Sequence, residues 1–315
     1  MHAEEMQHAV WVAAIRSGDF ERAWQISDAH LRDRLAEGHG RWEAPRHLQA
    51  IWNGEPLVGK RVLVRCYHGL GDTIQFIRFL QPLRHIARSV VLWVQPELLA
   101  LARFVAGADE VLALHNGKAD VEYDVDVEIM ELPHALRITA VPRDVPYLFV
   151  PRLPARRARG RSLRVGLVWA AGDWDERRSL DVDDVKPLAR VPGIQLFSLQ
   201  RGPRSAESAS IPAIDWGSDD AVETAVCMLS LDLMISVDTM TAHLAGALAV
   251  PVWTVLQRDC DWRWPRDATD TVWYPTMRLF HQKEQGNWKS VIEHLCRVLE
   301  RHAGLSADAI AGART

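Results

Sequence analysis

Chemistry first suggests itself in the run His68-Gly69-Leu70-Gly71-Asp72-Thr73, which lies between a β-branched stretch and an amphipathic one. Two glycines let main chain approach a ligand, and free N–H groups collect where a helix begins. Such a run can cradle an anion or a sugar. It is not a dinucleotide fingerprint, because Ile74 follows Thr73 and no acidic residue cleanly closes the next strand. Asp72 carries two readings: a helix N-cap worth about 1 kcal/mol, and a general base placed where a substrate hydroxyl arrives.

Four further constellations follow. Ile235-Ser-Val-Asp238-Thr239-Met-Thr241-Ala-His243 is a strand that turns at once into a small-residue helix. Its first-turn N–H groups and helix dipole attract a phosphate, and His243, one turn on from Thr239, shares that face. The plainer alternative is that Asp238 and Thr239 cap the helix while His243 is a core histidine. Trp169-Ala-Ala-Gly172-Asp-Trp-Asp-Glu-Arg177-Arg178-Ser179 pairs a glycine loop with two arginines able to clamp a diphosphate. Ser198-Leu-Gln200-Arg201-Gly202 is either a base or ribose contact or an ordinary turn. In Asp259-Cys-Asp261-Trp262-Arg263-Trp264 aromatics alternate with charges, which suits stacking on sugars or bases, or stapling a long loop.

Composition bounds these readings. The 315 residues are 48% hydrophobic and 25% charged, too long for one ordinary core and too apolar for a disordered chain. Thirty-seven basic and 41 acidic residues leave a formal charge of −4, which disfavours a nucleic-acid partner. Cys66, Cys227, Cys260 and Cys296 show neither C-x-x-C spacing nor a tight Cys/His cluster, so neither a disulfide framework nor a zinc site is expected. A reducing, cytoplasmic location fits. Neither a signal peptide nor a transmembrane span is predicted.

The elements that position these residues read as α/β. Helical spacing over Met6–Ser17 and Asp19–Leu35, broken at Ser17-Gly18-Asp19, predicts a helical hairpin within 1–45. Its second helix is similar to that of a tetratricopeptide repeat. Strands at Arg61–Cys66, Val90–Val94, near Val111 and at Asp124–Val127 alternate with helices, a long amphipathic one following Gly69-Leu-Gly-Asp and running through about Arg88. This first lobe spans 46–150. A proline- and arginine-rich stretch between Pro142 and Gly160 reads as a linker. Strands then restart at Arg164, Gln195, Leu233 and Pro251, with helices near Asp181–Arg190, Asp219–Leu229 and Thr239–Leu248, giving a second lobe over 151–302. A terminal helix from Asn287 is expected to fade by His302, leaving a frayed tail over 303–315.

In order, G-L-G-D, R-R-S, S-L-Q-R-G, S-V-D-T-x-T-A-H-L-A-G-A-L and D-W-R-W resemble the GT-B glycosyltransferases of the bacterial tetratricopeptide-containing type, relatives of the ADP-heptose lipopolysaccharide heptosyltransferases. The resemblance runs from about Trp52 to Trp288. It implies two Rossmann-like lobes facing a cleft, and an inverting transfer from a nucleotide-sugar donor to a hydroxyl of a protein or glycan. Asp72 matches the family's base. Asp238, Thr239 and His243 would receive the diphosphate, Gln200 would contact the nucleotide, and Arg177 or Arg178 would stand where heptosyltransferases place a lysine. Acceptor or loop contacts fall to Gly69, Gly71, Thr73, Gln75, Trp262 and Arg263. The resemblance implies neither metal nor cofactor, since the nucleotide-sugar is a co-substrate. Two other outcomes are a non-catalytic GT-B scaffold that binds a protein partner, and a nucleotide-sugar epimerase.

Overall fold

The computed structural model describes residues 2–37, 45–151, 162–172 and 174–312. The expected linker therefore lies outside the described residues from 152 to 160. By its internal contacts the chain divides into Met1–Phe149 with Trp262–Pro265, and Val150–Asp261 with Arg266–Thr315.

The first unit opens on α1 (His2–Ser17) and α2 (Phe20–Glu37). Gly18, at φ +77°, ends α1. Its N–H donates to Ile15 O, and the Asp19 N–H donates to Ala14 O at 2.9 Å, which satisfies two terminal carbonyls of α1. Asp19 Oδ1 then accepts the Arg22 N–H at 3.1 Å and starts α2. The buried face of α2 packs on its own unit, where Trp24 Nε1 donates to Ile138 O at 2.7 Å and Asp28 bonds both His134 and Arg137.

Next come β1 (Arg61–Arg65), α3 (Leu70–Phe76), α4 (Leu80–Ile86), β2 (Ser89–Val94), α5 (Leu99–Ala102), β3 (Glu110–Ala113), β4 (Val125–Glu128) and α6 (Leu132–Ala135). The strands form one parallel sheet in the order β3-β2-β1-β4, with Val62 beside both Val90 and Val125. The single long helix expected after β1 is instead two helices joined by a 3-10 turn at Ile77–Phe79. Pro82 is the cause: it has no N–H to give Arg78, and its ring would meet that carbonyl in a continuous helix.

The second unit holds β5 (Leu163–Val168), α7 (Val182–Val185), β6 (Ile194–Ser198), β7 (Ile214–Asp215), α8 (Ala221–Met228), β8 (Leu233–Val237), α9 (Met240–Ala247), β9 (Val252–Leu256), β10 (Met277–His281) and α10 (Trp288–Gly312). Its parallel sheet has the order β10-β9-β8-β5-β6-β7. The core sets Val165, Leu167, Ile235 and Val237 against Leu295 and Leu299 of α10. Strands β7 and β10 were not expected. Helix α10 also continues ten residues past His302, through Ala303, Leu305, Ala307 and Ala309, strong helix formers that carry it on.

Gly246 in α9 lies against the Tyr274 ring, where a Cβ would collide with it. Gly246→Ala is expected to destabilise the protein by about 1–3 kcal/mol. The measurement is the urea unfolding midpoint, and a midpoint equal to wild type would contradict this packing.

Candidate functional site

In the first sheet the connection from β1 leads to β2 on one side, while β4 lies on the other. This is the topological switch point, where open parallel sheets gather ligands beyond their strand C-termini. Residues 66–72 after β1 and Glu128 at the end of β4 occupy it.

Asp72 is not the N-cap of α3. The helix begins at Leu70, so Gly69 is the N-cap and Asp72, three positions in, reaches back to accept the Gly69 N–H on Oδ2 at 2.9 Å. A Cβ on Gly69 would lie 3.1 Å from that oxygen, a tight approach that the carboxylate would have to ease by a small shift. Asp72 Oδ1 accepts from Arg263 Nη2. Arg263 Nε donates to Gln75 Oε1 at 2.6 Å, and its guanidinium lies 4.4 Å from the Trp262 ring centre. Thr73 is buried and donates to Gln95 Oε1 at 3.0 Å, while Gln95 Nε2 donates to His68 O at 2.8 Å. Gly71 lies in the first turn of α3.

His68 Nδ1 stands 2.9 Å from Glu128 Oε1, with the histidine side chain 28% exposed and the glutamate 1%. Glu128 also accepts the main-chain N–H groups of Tyr67 and Met130, the latter at 2.7 Å. Burial pulls the His68 pKa down, but the adjacent Glu128 carboxylate, aided by Asp72, outweighs burial and the opposing Arg263, so the net direction is upward, although Nδ1 itself makes no hydrogen bond among the described residues. Burial pushes the neighbouring Glu131 carboxyl up, against the N–H bonds that it accepts from Trp52, Glu128 and Ile51. Beside this cluster, a cavity of about 310 Å³ is lined by His8, Trp11, Ser27, His30, Met130 and Trp262.

In the second unit the switch point falls between β5 and β8. Arg178, after β5, donates from Nη1 to Asp238 O, after β8, at 3.1 Å. Thr239 is the N-cap of α9 and makes no side-chain cap bond. His243 is buried, with Nδ1 2.9 Å from Tyr274 Oη and Nε2 3.8 Å from Asp238 Oδ1. These four residues are brought together. Arg177 is turned elsewhere: its side chain is 62% exposed and pairs with Asp175. Gln200 is committed to main chain, accepting from Trp169 and Ala170 N–H and donating to Ala170 and Arg201 O. It fixes the strand-end loop, and a base or ribose would have to displace those bonds. Among the described residues no group of three or more His, Cys, Asp or Glu is arranged to hold a metal ion, and no helix is long and apolar enough to cross a membrane.

Sequence reasoning missed Glu128, placed Tyr274 only among the aromatics of the late loop, and assigned no role to Asp175 or His68. The available signal for Glu128 was Val125-Asp-Val-Glu128, acids alternating with valines inside a strand whose every residue is buried.

No family model matches the chain. It is 24% identical to Protein FlbA of Caulobacter vibrioides over 95% of its own length, and spans about half (55%) of that protein. Among solved structures it is similar to a glycosyl transferase family 9 protein of Veillonella parvula, with TM-score 0.54 and 13% identity over 79% of this chain and 98% of that one. Escherichia coli heptosyltransferase WaaC, solved with ADP-2-deoxy-2-fluoro heptose, gives TM-score 0.52 at 12% identity, over 77% of this chain and 99% of that one. The E. coli ADP-heptose lps heptosyltransferase II gives 0.52 at 11% identity over the same shares. The fold is that of the GT-B heptosyltransferases. It comprises two parallel α/β sheets, preceded along the chain by a short helical hairpin.

Asp175 supplies a pH test of the second unit. The Arg177 side chain, outweighing burial and helped by Gln257, pulls its carboxyl down to about 2. A depressed acid stabilises the fold above its unfolded pKa, about 3.9, and that contribution is lost as pH falls through about 2. The stability gap between wild type and Asp175→Asn is therefore expected to be full above about pH 5 and to close toward about pH 2 in urea unfolding series. A gap independent of pH would contradict the ion pair.

Proposed function

We propose that the protein is a glycosyltransferase that moves a sugar from a nucleotide-sugar donor to a hydroxyl of a protein or glycan acceptor, with inversion and without a metal. The observation that carries this reading is the coincidence of a heptosyltransferase fold with polar side chains gathered at the switch point of each sheet. The donor diphosphate binds the second unit at Arg178, the Asp238–Thr239 turn and His243, where guanidinium and helix dipole neutralise the departing charge. Arg178, rather than Arg177, takes the place of the family's lysine, because it already bonds the Asp238 main chain while Arg177 is held by Asp175.

The acceptor binds the first unit at the Gly69–Asp72 turn, with Gln75, Trp262 and Arg263 around it. Asp72, held by the Gly69 N–H and by Arg263, is the base that takes the proton from the acceptor hydroxyl. The repeat-like hairpin, packed on the same unit, supports a polypeptide as the carrier of the acceptor hydroxyl.

Calorimetric titration with UDP, GDP, ADP and CMP tests the donor site. One nucleotide is expected to bind in the micromolar range. Arg178→Ala should weaken it about tenfold or more, as loss of a charged hydrogen bond costs about 1.5–3 kcal/mol. His243→Ala should weaken it several-fold, and Arg177→Ala should change it by less than about twofold. Failure of all four nucleotides to bind, or an equal loss from both arginine variants, would sink this reading.

A further inference from the structure

Helices α1 and α2 do not close completely on the rest of the first unit. Between His8, Trp11, Ser27 and His30 of the hairpin and Met130 and Trp262 of the body lies the cavity of about 310 Å³. That volume exceeds the roughly 150 Å³ that holds a benzene-sized ring. His8 and His30 are exposed, while Trp11, Ser27, Met130 and Trp262 are half-buried, so imidazoles stand at the mouth and indoles at the floor. Trp11 meets Trp262 edge to face at 5.2 Å, and His8 stacks on Trp11 at 6.2 Å.

The polar groups of this wall are already committed. Trp11 Nε1 donates to Ser27 Oγ at 3.1 Å, and His30 Nε2 lies 2.9 Å from Gln7 Oε1. Among the described residues no carboxylate, side-chain amide or guanidinium lines the cavity. A sugar ring would leave its hydroxyls short of partners there, which is costly. An aromatic side chain has no such need, and it gains from ring contacts with the indoles and from the Met130 sulfur. Two wall residues also border the acceptor end of the site. The Trp262 ring centre lies 4.4 Å from the Arg263 guanidinium, whose Nη2 lies 4.0 Å from Met130 Sδ and donates to Asp72. An extended chain advances about 3.3 Å per residue, so about two or three residues span the distance from the Trp262 ring to the Asp72 carboxylate.

We propose that this cavity receives an aromatic side chain of a polypeptide acceptor, about two residues along the chain from the hydroxyl that Asp72 deprotonates. The role of that hydroxyl rests on the glycosyl-transfer reading, whereas the docking of the side chain does not. The hairpin then selects the acceptor: it decides which hydroxyl of an exposed segment reaches the Gly69–Asp72 turn, and the turn supplies the chemistry.

Main-chain and indole N–H signals of the full chain, followed by NMR, test this. The probes are the N-acetylated, C-amidated pentapeptides Phe-Gly-Ser-Gly-Phe and Ala-Gly-Ser-Gly-Ala, and maltotriose. Paired phenylalanines serve either chain direction. The phenylalanine peptide is expected to move the indole signals of Trp11 and Trp262 together with the main-chain signals of Gly69 and Gly71. It should bind about tenfold or more tightly than the alanine peptide, through burial of one aromatic ring. His30→Trp, which fills the mouth from an exposed position, should weaken the phenylalanine peptide about fivefold or more while keeping the wild-type urea midpoint. His8→Trp repeats the test from the opposite lip. Equal binding of the two peptides, indole shifts from maltotriose in their place, phenylalanine binding that leaves Gly69 and Gly71 unmoved, or undiminished binding in both folded variants would overturn the proposal. None of these outcomes involves a nucleotide, so glycosyl transfer is judged separately by the nucleotide titration.

Discussion

The polar cluster of the first unit depends on one guanidinium, that of Arg263, whose side chain is 6% exposed. Charge so deeply withdrawn from water costs several kcal/mol unless it is paired and hydrogen-bonded. Asp72 and Gln75 supply that pairing from positions three apart, on one face of α3. The same contacts place Trp262–Pro265 with the first unit, where Arg263 meets Asp72 and Gln75 of α3. Trp262 extends the anchorage. Its ring meets Trp11 at 5.2 Å and its carbonyl accepts from Arg16 Nε, so the N-terminal hairpin is tied to the residues that hold α3.

Beneath that cluster the carboxyl edge of the sheet is floored by acids that burial alone would forbid. Asp126 is offset by Arg65 at 2.8 Å, Glu128 by His68 and two N–H groups, and Glu131 by three N–H groups. Asp126 and Glu128 project from alternate residues of one strand, so both point to the same face. Asp126 is met by a guanidinium, and both Glu128 and Glu131 by main-chain N–H groups. Among the groups beside these acids only His68 can both accept and release a proton near neutral pH.

What the sequence made legible was local. The Gly69–Asp72 turn could be read because its glycines, its acid and the following helix lie within a few residues, and the hairpin because Gly18 and Asp19 announce both caps. Pro82 stood in plain view inside the expected helix, and greater weight on its missing N–H would have predicted the break. Strand β10 was hidden for another reason: Met277–His281 follows a tryptophan-rich loop, and its strand character comes from pairing with β9. The links that build the site are longer still. Asp72 and Arg263 are 191 residues apart, and Tyr67 and Glu128 are 61. No periodicity connects such positions. Nor could residue type separate Arg177 from Arg178, since the distinction lies in the partners: Asp175 for one, the Asp238 carbonyl for the other.

Each unit places its polar groups at the same topological position, yet the two positions carry different chemistry. After β1 and β4 stand carboxylates and an imidazole, groups that move or hold protons. After β5 and β8 stand a guanidinium, a helix N-terminus and a histidine held between Tyr274 and Asp238, groups that complement an anion. Parallel-sheet topology decides where a ligand can sit, because strand ends and helix starts converge there, but it is silent on what the ligand is. The side chains supply that information. The edge of the first sheet gathers acids and an imidazole, and that of the second a guanidinium, an aspartate and a helix N-terminus, so the two edges offer different partners to whatever binds there.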